Sequence, residues 1–169
     1  MKKLSLKKLA RAGIIAALYF ILSAFLQPIS FGTIQFRLGE ALAMLPFIMP
    51  EAIFGVSIGC LLSNAIFSPF GIYDVIFGTL ATILAAVLTF KIRNIWFSAL
   101  PPIFVNAIIL PFIWLFLSGD TAYFINFISI VISQAVIMYL LGIPLVIGLR
   151  KAMPNEFLDK AKPRQEKDK

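Results

Sequence analysis

The stretch that decides the fold runs from residue 40 to residue 67 and reads EALAMLPFIMPEAIFGVSIGCLLSNAIF. It is apolar enough to lie in a membrane, but Pro46, Pro50 and Glu51 interrupt it. As one helix it gives the chain five spans, and as two helices broken at Pro50 it gives six. Each half is then roughly 13–16 residues or 20–24 Å long, which is short for a bilayer core, although neighbouring helices can bury the ends of short spans.

The positions of the basic residues favour six spans. With five spans, the N-terminal basic cluster lies inside the cell, but Lys91, Arg93 and the basic C-terminal tail lie outside. With six spans, all three basic clusters lie on the cytoplasmic side, in agreement with the positive-inside rule. The sequence therefore predicts an all-α polytopic membrane protein with six transmembrane helices in one bundle and with both termini in the cytoplasm.

The composition of the chain agrees with this class. Of its 169 residues, 60% are hydrophobic and 14% are charged, whereas soluble domains have about 25% charged residues. A soluble enzyme, a disordered chain and an ordinary nucleic-acid binder are excluded. The remaining predicted spans are 12–26, 72–90, 95–117 and 122–149. We expect a membrane domain over 12–150, between a basic cytoplasmic segment at 1–11 and a polar cytoplasmic tail at 151–169, with the charged tails facing lipid headgroups.

The residues needed for catalysis or metal binding are scarce. Histidine is absent and Cys60 is the single cysteine, so we expect no metal, no cofactor and no enzymatic activity. Cys60 is expected to be a small packing residue. The sequence has no phosphate-binding loop with a Gly-Lys-Ser/Thr signature, so the chain does not itself hydrolyse ATP by that route.

Ionisable residues near the predicted outer ends of the spans are candidates for ligand binding, because such groups are costly in a membrane. Arg37 and Glu40 are three positions apart. Either they form a structural ion pair, or Glu40 accepts hydrogen bonds from a ligand while Arg37 balances its charge. Asn64 and Asp74 flank a short loop, where Asp74 is either a ligand-binding group or a helix N-cap.

The first and last spans carry two further patterns. Polar residues of the last span fall on one side of a helix and serve either helix packing or a ligand pocket. They are Tyr123, Asn126, Ser129, Ser133 and Gln134. The first span holds two pairs of small residues, Ala12/Ala16 and Gly13/Ala17. Each pair allows a close approach of another helix, either from the same bundle or from another membrane subunit.

Three motifs carry a resemblance to a known family. They are GTIQFRLGEALAMLP at 32–46, GVSIGCLLSN at 55–64 and YDVIFGTLAT at 73–82. Together they resemble the QueT family of queuosine-precursor transporters, which are substrate-binding S-components of energy-coupling-factor importers. The resemblance covers roughly residues 5 to 150. One departure is Gly39, where the family pattern leads us to expect serine before the glutamate.

The resemblance implies a multi-pass protein of a prokaryotic plasma membrane that captures its substrate outside and releases it inside. It also implies that the small-residue face docks on a transmembrane T-component, while two cytoplasmic ATPases supply the energy. The expected docking residues are Ala12, Gly13, Ala16 and Ala17. The expected substrate-binding residues are Arg37, Glu40, Asn64, Tyr73, Asp74, Tyr123, Asn126 and Gln134.

The implied substrate, a deazaguanine, fits these side chains. Its base edge offers donors to a carboxylate, its carbonyl needs an amide donor, and its flat face suits Phe or Tyr. We hypothesise that Glu40 reads the base edge and that Asp74 reads a second donor or an aminomethyl arm. Two alternatives remain open at this point, namely an S-component for another small vitamin-like solute and an assembly subunit that binds no solute.

Overall fold

The structure is a computed structural model that describes residues 6–27, 36–117, 119 and 121–153. Within these residues the chain folds into six helices, which confirms the predicted all-α fold. They are α1 (Leu6–Phe25), α2 (Leu38–Phe47), α3 (Ala52–Phe67), α4 (Asp74–Lys91), α5 (Phe97–Leu117) and α6 (Tyr123–Ala152).

The helix break predicted at Pro50 is confirmed, because α2 ends at Phe47 and α3 begins at Ala52. Helix α1 begins at Leu6, six residues before the predicted start, since nothing from Leu6 to Arg11 breaks a helix. Apart from Phe36 and Arg37, the predicted loose segment at 29–37 lies outside the described residues. So does the predicted tail beyond residue 153.

Four of the helices, α1, α4, α5 and α6, are long and apolar enough to cross a membrane. Helices α2 and α3 are shorter, with 10 and 16 residues. Helix α2 is a 3-10 helix, so its ten residues extend about 20 Å, and the sixteen residues of α3 extend about 24 Å. Both lengths agree with the two short segments that the sequence predicted.

Helix α2 forms the centre of the bundle. All residues from 39 to 49 are buried, and α2 contacts each of the other five helices. Its narrow 3-10 coil passes so close to α1 that a Cβ atom on Gly39 would lie 2.7 Å from Ser23 Oγ and 2.9 Å from the Tyr19 carbonyl oxygen. This contact explains why glycine, and not the expected serine, precedes Glu40 in this chain.

Helices α1 and α3 pack closely through small residues. A Cβ atom on Gly55 would lie 2.8 Å from the Ala12 carbonyl oxygen, and one on Gly59 would lie 3.0 Å from the Ala16 carbonyl oxygen. Ala12 and Ala16 are therefore buried inside the bundle, in the packing role that the sequence left open.

The second small-residue pair of α1 has a different environment. Gly13 and Ala17 are exposed, and among the described residues no atom lies within 4 Å of the position that a Cβ on Gly13 would take. The two offset pairs thus lie on different faces of α1, one against α3 and one on the surface of the bundle.

Candidate ligand-binding site

Glu40 lies in the first turn of α2 and is only 2% exposed. Its Oε1 accepts a hydrogen bond from the Tyr19 hydroxyl at 2.6 Å. Tyr19 lies on the same face of α1 as Ala12 and Ala16. Residues that are three or seven positions apart lie on one side of a helix, and Ala16 and Ala12 precede Tyr19 by three and seven positions. The Arg37 guanidinium, which interacts electrostatically with Glu40, reduces the cost of burying this carboxylate.

Arg37 connects three segments of the chain. Its Nη1 donates a hydrogen bond to Asn64 Oδ1 at 3.1 Å, and its Nη2 lies 3.5 Å from Asp74 Oδ2. Asn64 Nδ2 in turn donates to the Asp74 carbonyl oxygen at 2.9 Å. The salt bridge of Arg37 thus reaches Asp74 in α4, beyond the local pair with Glu40 that the spacing suggested. Arg37, Glu40, Asn64 and Asp74 form what we call the polar network.

Asp74 is fully buried in the π-helical turn Asp74–Gly78, which opens α4. Its Oδ1 accepts a hydrogen bond from Trp114 Nε1 at 2.7 Å, and its Oδ2 accepts one from Ser68 Oγ at 2.6 Å. The Asp74 carboxylate therefore points towards Trp114 and Ser68. It does not act as a helix N-cap, which is the alternative that the sequence left open. Turns of this π-helical kind are frequent at functional sites.

Cys60 lies beside the polar network and is 1% exposed. Its sulfur accepts hydrogen bonds from Asn64 Nδ2 at 3.3 Å and from Thr82 Oγ1 at 3.1 Å. Cys60 is therefore a small buried residue, as predicted, and also a polar contact that helps to hold the Asn64 amide in place. The backbone at Gly78 leaves room for that amide, since a Cβ there would lie 2.8 Å from Asn64 Nδ2.

The candidates outside the polar network have different environments. Gln134 is 3% exposed, and its Oε1 has no hydrogen-bond partner among the described residues. Tyr123 opens α6 and is half-buried, with its ring stacked on Phe127 at 6.4 Å between centroids. Asn126, one turn later, and Tyr73, which precedes α4, are also half-buried. The structure thus joins Arg37, Asn64 and Asp74 by direct contacts. Glu40 interacts with Arg37 electrostatically and is held by Tyr19.

Sequence reasoning missed Tyr19, Ser68 and Trp114. Tyr19 lies seven residues after Ala12, and that spacing could have placed it on the buried face of α1. A tryptophan in the interior of a bundle needs an acceptor for its indole N–H, which could have drawn attention to Trp114. For Ser68, nothing in its surroundings along the chain indicates a contact with Asp74.

These helices and this network define a polytopic membrane protein with a buried, charged cluster in its interior. Its ionisable and amide groups are at most 4% exposed, although they lie among apolar helices. A profile of the QueT transporter family matches residues 9–151, and the chain belongs to this family. It is therefore a multi-pass integral membrane protein of the cell membrane.

A relative adds detail to the family assignment. The protein named Queuosine precursor transporter QueT, from Lactococcus lactis subsp. cremoris (strain MG1363), is 42% identical over 85 residues. The similar region covers 49% of this chain and 49% of the relative, so this chain matches about half the length of that protein. No solved structure matches the chain.

Proposed function

We propose that this chain is the substrate-binding subunit of an energy-coupling-factor importer and that it captures a queuosine precursor of the 7-deazaguanine type from outside the cell. The observation that carries the proposal is the polar network, in which two carboxylates, a guanidinium and an amide are buried inside an apolar bundle. Buried charges of this kind contribute little net stability, and in membrane proteins they mark substrate pathways. The family and the name of the relative support the substrate.

Glu40 is the group that we assign to the base edge. The guanine-like edge of a deazaguanine offers neighbouring N–H donors, which a carboxylate accepts as a pair. Tyr19 donates to Oε1 of Glu40, whereas both oxygens of Asp74 already accept a side-chain hydrogen bond. A carboxylate has about four acceptor sites, so Asp74 retains capacity for a second donor or for the cationic arm of an aminomethyl form.

The amides and the aromatic side chains complete the proposed site. Asn64 is held by Arg37 and Cys60, which orients its amide beside Asp74. The unpartnered Oε1 of buried Gln134 supports a ligand with further hydrogen-bonding groups, because a buried polar atom without a partner is costly. Asn126 supplies a second amide on α6, and Tyr73 and Tyr123 supply rings for the flat face of the base.

Transport requires a coupling module, for which we propose a transmembrane T-component and two cytoplasmic ATPases. Gly13 and Ala17 are our docking residues, because their face of α1 is exposed and lets another helix approach closely. Ala12 and Ala16 support this face indirectly by fixing α1 against α3. In this proposal the chain changes its orientation in the membrane after it has docked, and it then releases the substrate to the cytoplasm.

The test is calorimetric titration of the detergent-purified chain with the aminomethyl and cyano forms of the deazaguanine. Riboflavin and biotin serve as control solutes, and a thermal unfolding transition shows that the protein is folded. We expect saturable binding of a deazaguanine and no binding of the controls. Binding of a control solute instead would indicate a different substrate, and no binding from folded protein would overturn the proposal.

A further inference from the structure

An aromatic pair borders the polar network and has no part in the function proposed so far. The rings of Phe70 and Trp114 stack with their centroids 4.4 Å apart and their planes 11° from parallel. Trp114 is buried in α5, and Phe70 is half-buried on the connection between α3 and α4. A flat heterocycle stacks on an indole with the same geometry.

Both members of the pair are tied to Asp74. Trp114 Nε1 donates to Asp74 Oδ1, which fixes the plane of the indole next to the carboxylate. Ser68 Oγ donates to Asp74 Oδ2 and accepts a hydrogen bond from the Phe70 backbone N–H at 3.2 Å. Phe70 thus covers a flat, buried face of the Trp114 indole, and this indole is hydrogen-bonded directly to Asp74 of the polar network.

The two rings of the stacked pair differ in how firmly they are held in place. Trp114 belongs to the apolar cluster of Ala107, Leu110 and Ile130, and moving it would break its hydrogen bond to Asp74. Phe70 lies in a tight turn in which the Gly71 N–H donates to the Ser68 carbonyl oxygen at 3.4 Å. Phe70 packs against the edge of the same cluster but is half-buried, and moving its ring breaks no side-chain hydrogen bond.

We infer that Trp114 is the stacking surface for the planar ring of the substrate and that Phe70 covers this surface until the substrate displaces it. The inference rests on the proposed function, since it concerns how the same deazaguanine binds. A third ring does not fit between the pair, because two rings with centroids 4.4 Å apart are already in stacking contact. The substrate therefore replaces Phe70 and is not inserted beside it.

The test uses the full-length chain in detergent with Trp96→Phe, which leaves Trp114 as the only tryptophan. Calorimetry and Trp114 fluorescence are measured in the same titration with the aminomethyl deazaguanine, and absorption by the ligand is corrected with N-acetyltryptophanamide. We expect the fluorescence emission of Trp114 to change during the titration, with the same midpoint in ligand concentration as the heat of binding. We expect Phe70→Ala to raise the affinity about two- to tenfold, because the ligand no longer competes with an aromatic pair.

Two further variants make the result specific. Phe116→Ala removes a ring from the exposed Phe112–Phe116 pair of α5, whose centroids are 4.6 Å apart, and we expect it to leave the affinity unchanged. Phe70→Leu keeps an apolar side chain at the turn without a stacking ring, and we expect it to raise the affinity as Phe70→Ala does. Unfolding temperatures near that of the parent show that each variant is folded.

The outcomes separate this inference from the proposed function. If the parent binds the deazaguanine but Trp114 emission stays constant at saturation, the stacking surface is wrong and the proposed function stands. If Phe70→Ala and Phe70→Leu weaken binding, Phe70 is a ligand contact and the displacement is wrong. If the parent binds no deazaguanine, both the proposed function and this inference are overturned.

Discussion

The two carboxylates of the polar network differ in the contacts that they already make. Glu40 accepts a hydrogen bond from Tyr19 at one oxygen. Asp74 accepts one at each oxygen, from Trp114 and Ser68, and also forms a salt bridge with Arg37. The proposed ligand therefore gains more from Glu40 than from Asp74, because a hydrogen bond to a charged group adds most where the acceptor is least occupied.

Glu40→Gln is accordingly expected to weaken deazaguanine binding by about ten- to 150-fold, which corresponds to about 1.5–3 kcal/mol for a hydrogen bond to a charged group. The measurement is the calorimetric dissociation constant in detergent. Glu51→Gln is the matched control, since Glu51 is also buried but pairs with Arg11 at 2.7 Å elsewhere in the fold. We expect Glu51→Gln to lower the unfolding temperature and to leave the affinity unchanged. Equal affinities for Glu40→Gln and the parent would contradict the assignment.

At the scale of the helices, the site depends on how closely α1 and α3 approach. A Cβ on Gly59 would lie 2.6 Å from the Cβ of Tyr19, whose hydroxyl holds Glu40. Gly59→Ala is therefore expected to push α1 and α3 apart, with a loss of about 1–3 kcal/mol of stability from overpacking. Thermal unfolding in detergent measures this loss, and calorimetry is expected to show weaker ligand binding because Tyr19 moves.

Gly148→Ala is the control for this substitution, because no atom of the part of the chain that the structure describes lies within 4 Å of the position of its Cβ in α6. Alanine is favoured over glycine inside a helix, so Gly148→Ala is expected to preserve or slightly raise the unfolding temperature. An unfolding temperature and an affinity for Gly59→Ala equal to those of Gly148→Ala would show that the α1–α3 contact does not position the site.

The helices were easier to predict from the sequence than their packing. Pro50 and the charges marked the break between α2 and α3, because proline inside a helix removes a backbone hydrogen bond and kinks or ends the helix. Pro46 and Pro111 lie inside α2 and α5, so the prolines alone did not locate the break. The 3-10 form of α2 was not predicted, and neither was its contact with all five other helices, which involves residues far apart in the chain. Likewise, two offset small-residue pairs in α1 look alike in the sequence, and only Gly55 and Gly59 of α3 determine that Ala12 and Ala16 face inward.

The candidate site was predicted in part, for a related reason. Arg37, Glu40, Asn64 and Asp74 were recognisable because polar groups stand out in apolar spans. Trp114 did not stand out, because an aromatic residue in such a span is also typical of packing. Its role depends on the hydrogen bond to Asp74, forty positions earlier in the chain.

At the scale of the whole molecule, the predicted topology of six spans with both termini in the cytoplasm assigns three exposed positions to defined sides of the membrane. Arg93→Cys and Lys151→Cys are expected to react with a membrane-impermeant maleimide only after permeabilisation of cells, whereas Thr121→Cys reacts in intact cells. The unsubstituted chain is the control, since its single cysteine, Cys60, is 1% exposed. Labelling of Arg93→Cys in intact cells would contradict six spans and favour five.

The proposed coupling to an ATP-driven module also belongs to the scale of the whole molecule, and a substitution at Gly13 tests it separately from the proposed ligand binding. The position of a Cβ on Gly13 is open in the isolated chain, so Gly13→Leu is expected to preserve folding and deazaguanine affinity. If another helix docks on the Gly13/Ala17 face, the larger side chain prevents its close approach. We then expect more than tenfold slower ATP-dependent uptake in proteoliposomes that contain the coupling module, together with loss of co-purification of that module.

Gly148→Leu makes the same change at another open, exposed helical position, and its uptake should equal that of the parent. Normal uptake by Gly13→Leu would place the docking surface on a different face of the bundle, whereas a parallel loss of ligand binding would indicate a folding defect of α1 instead of a docking defect.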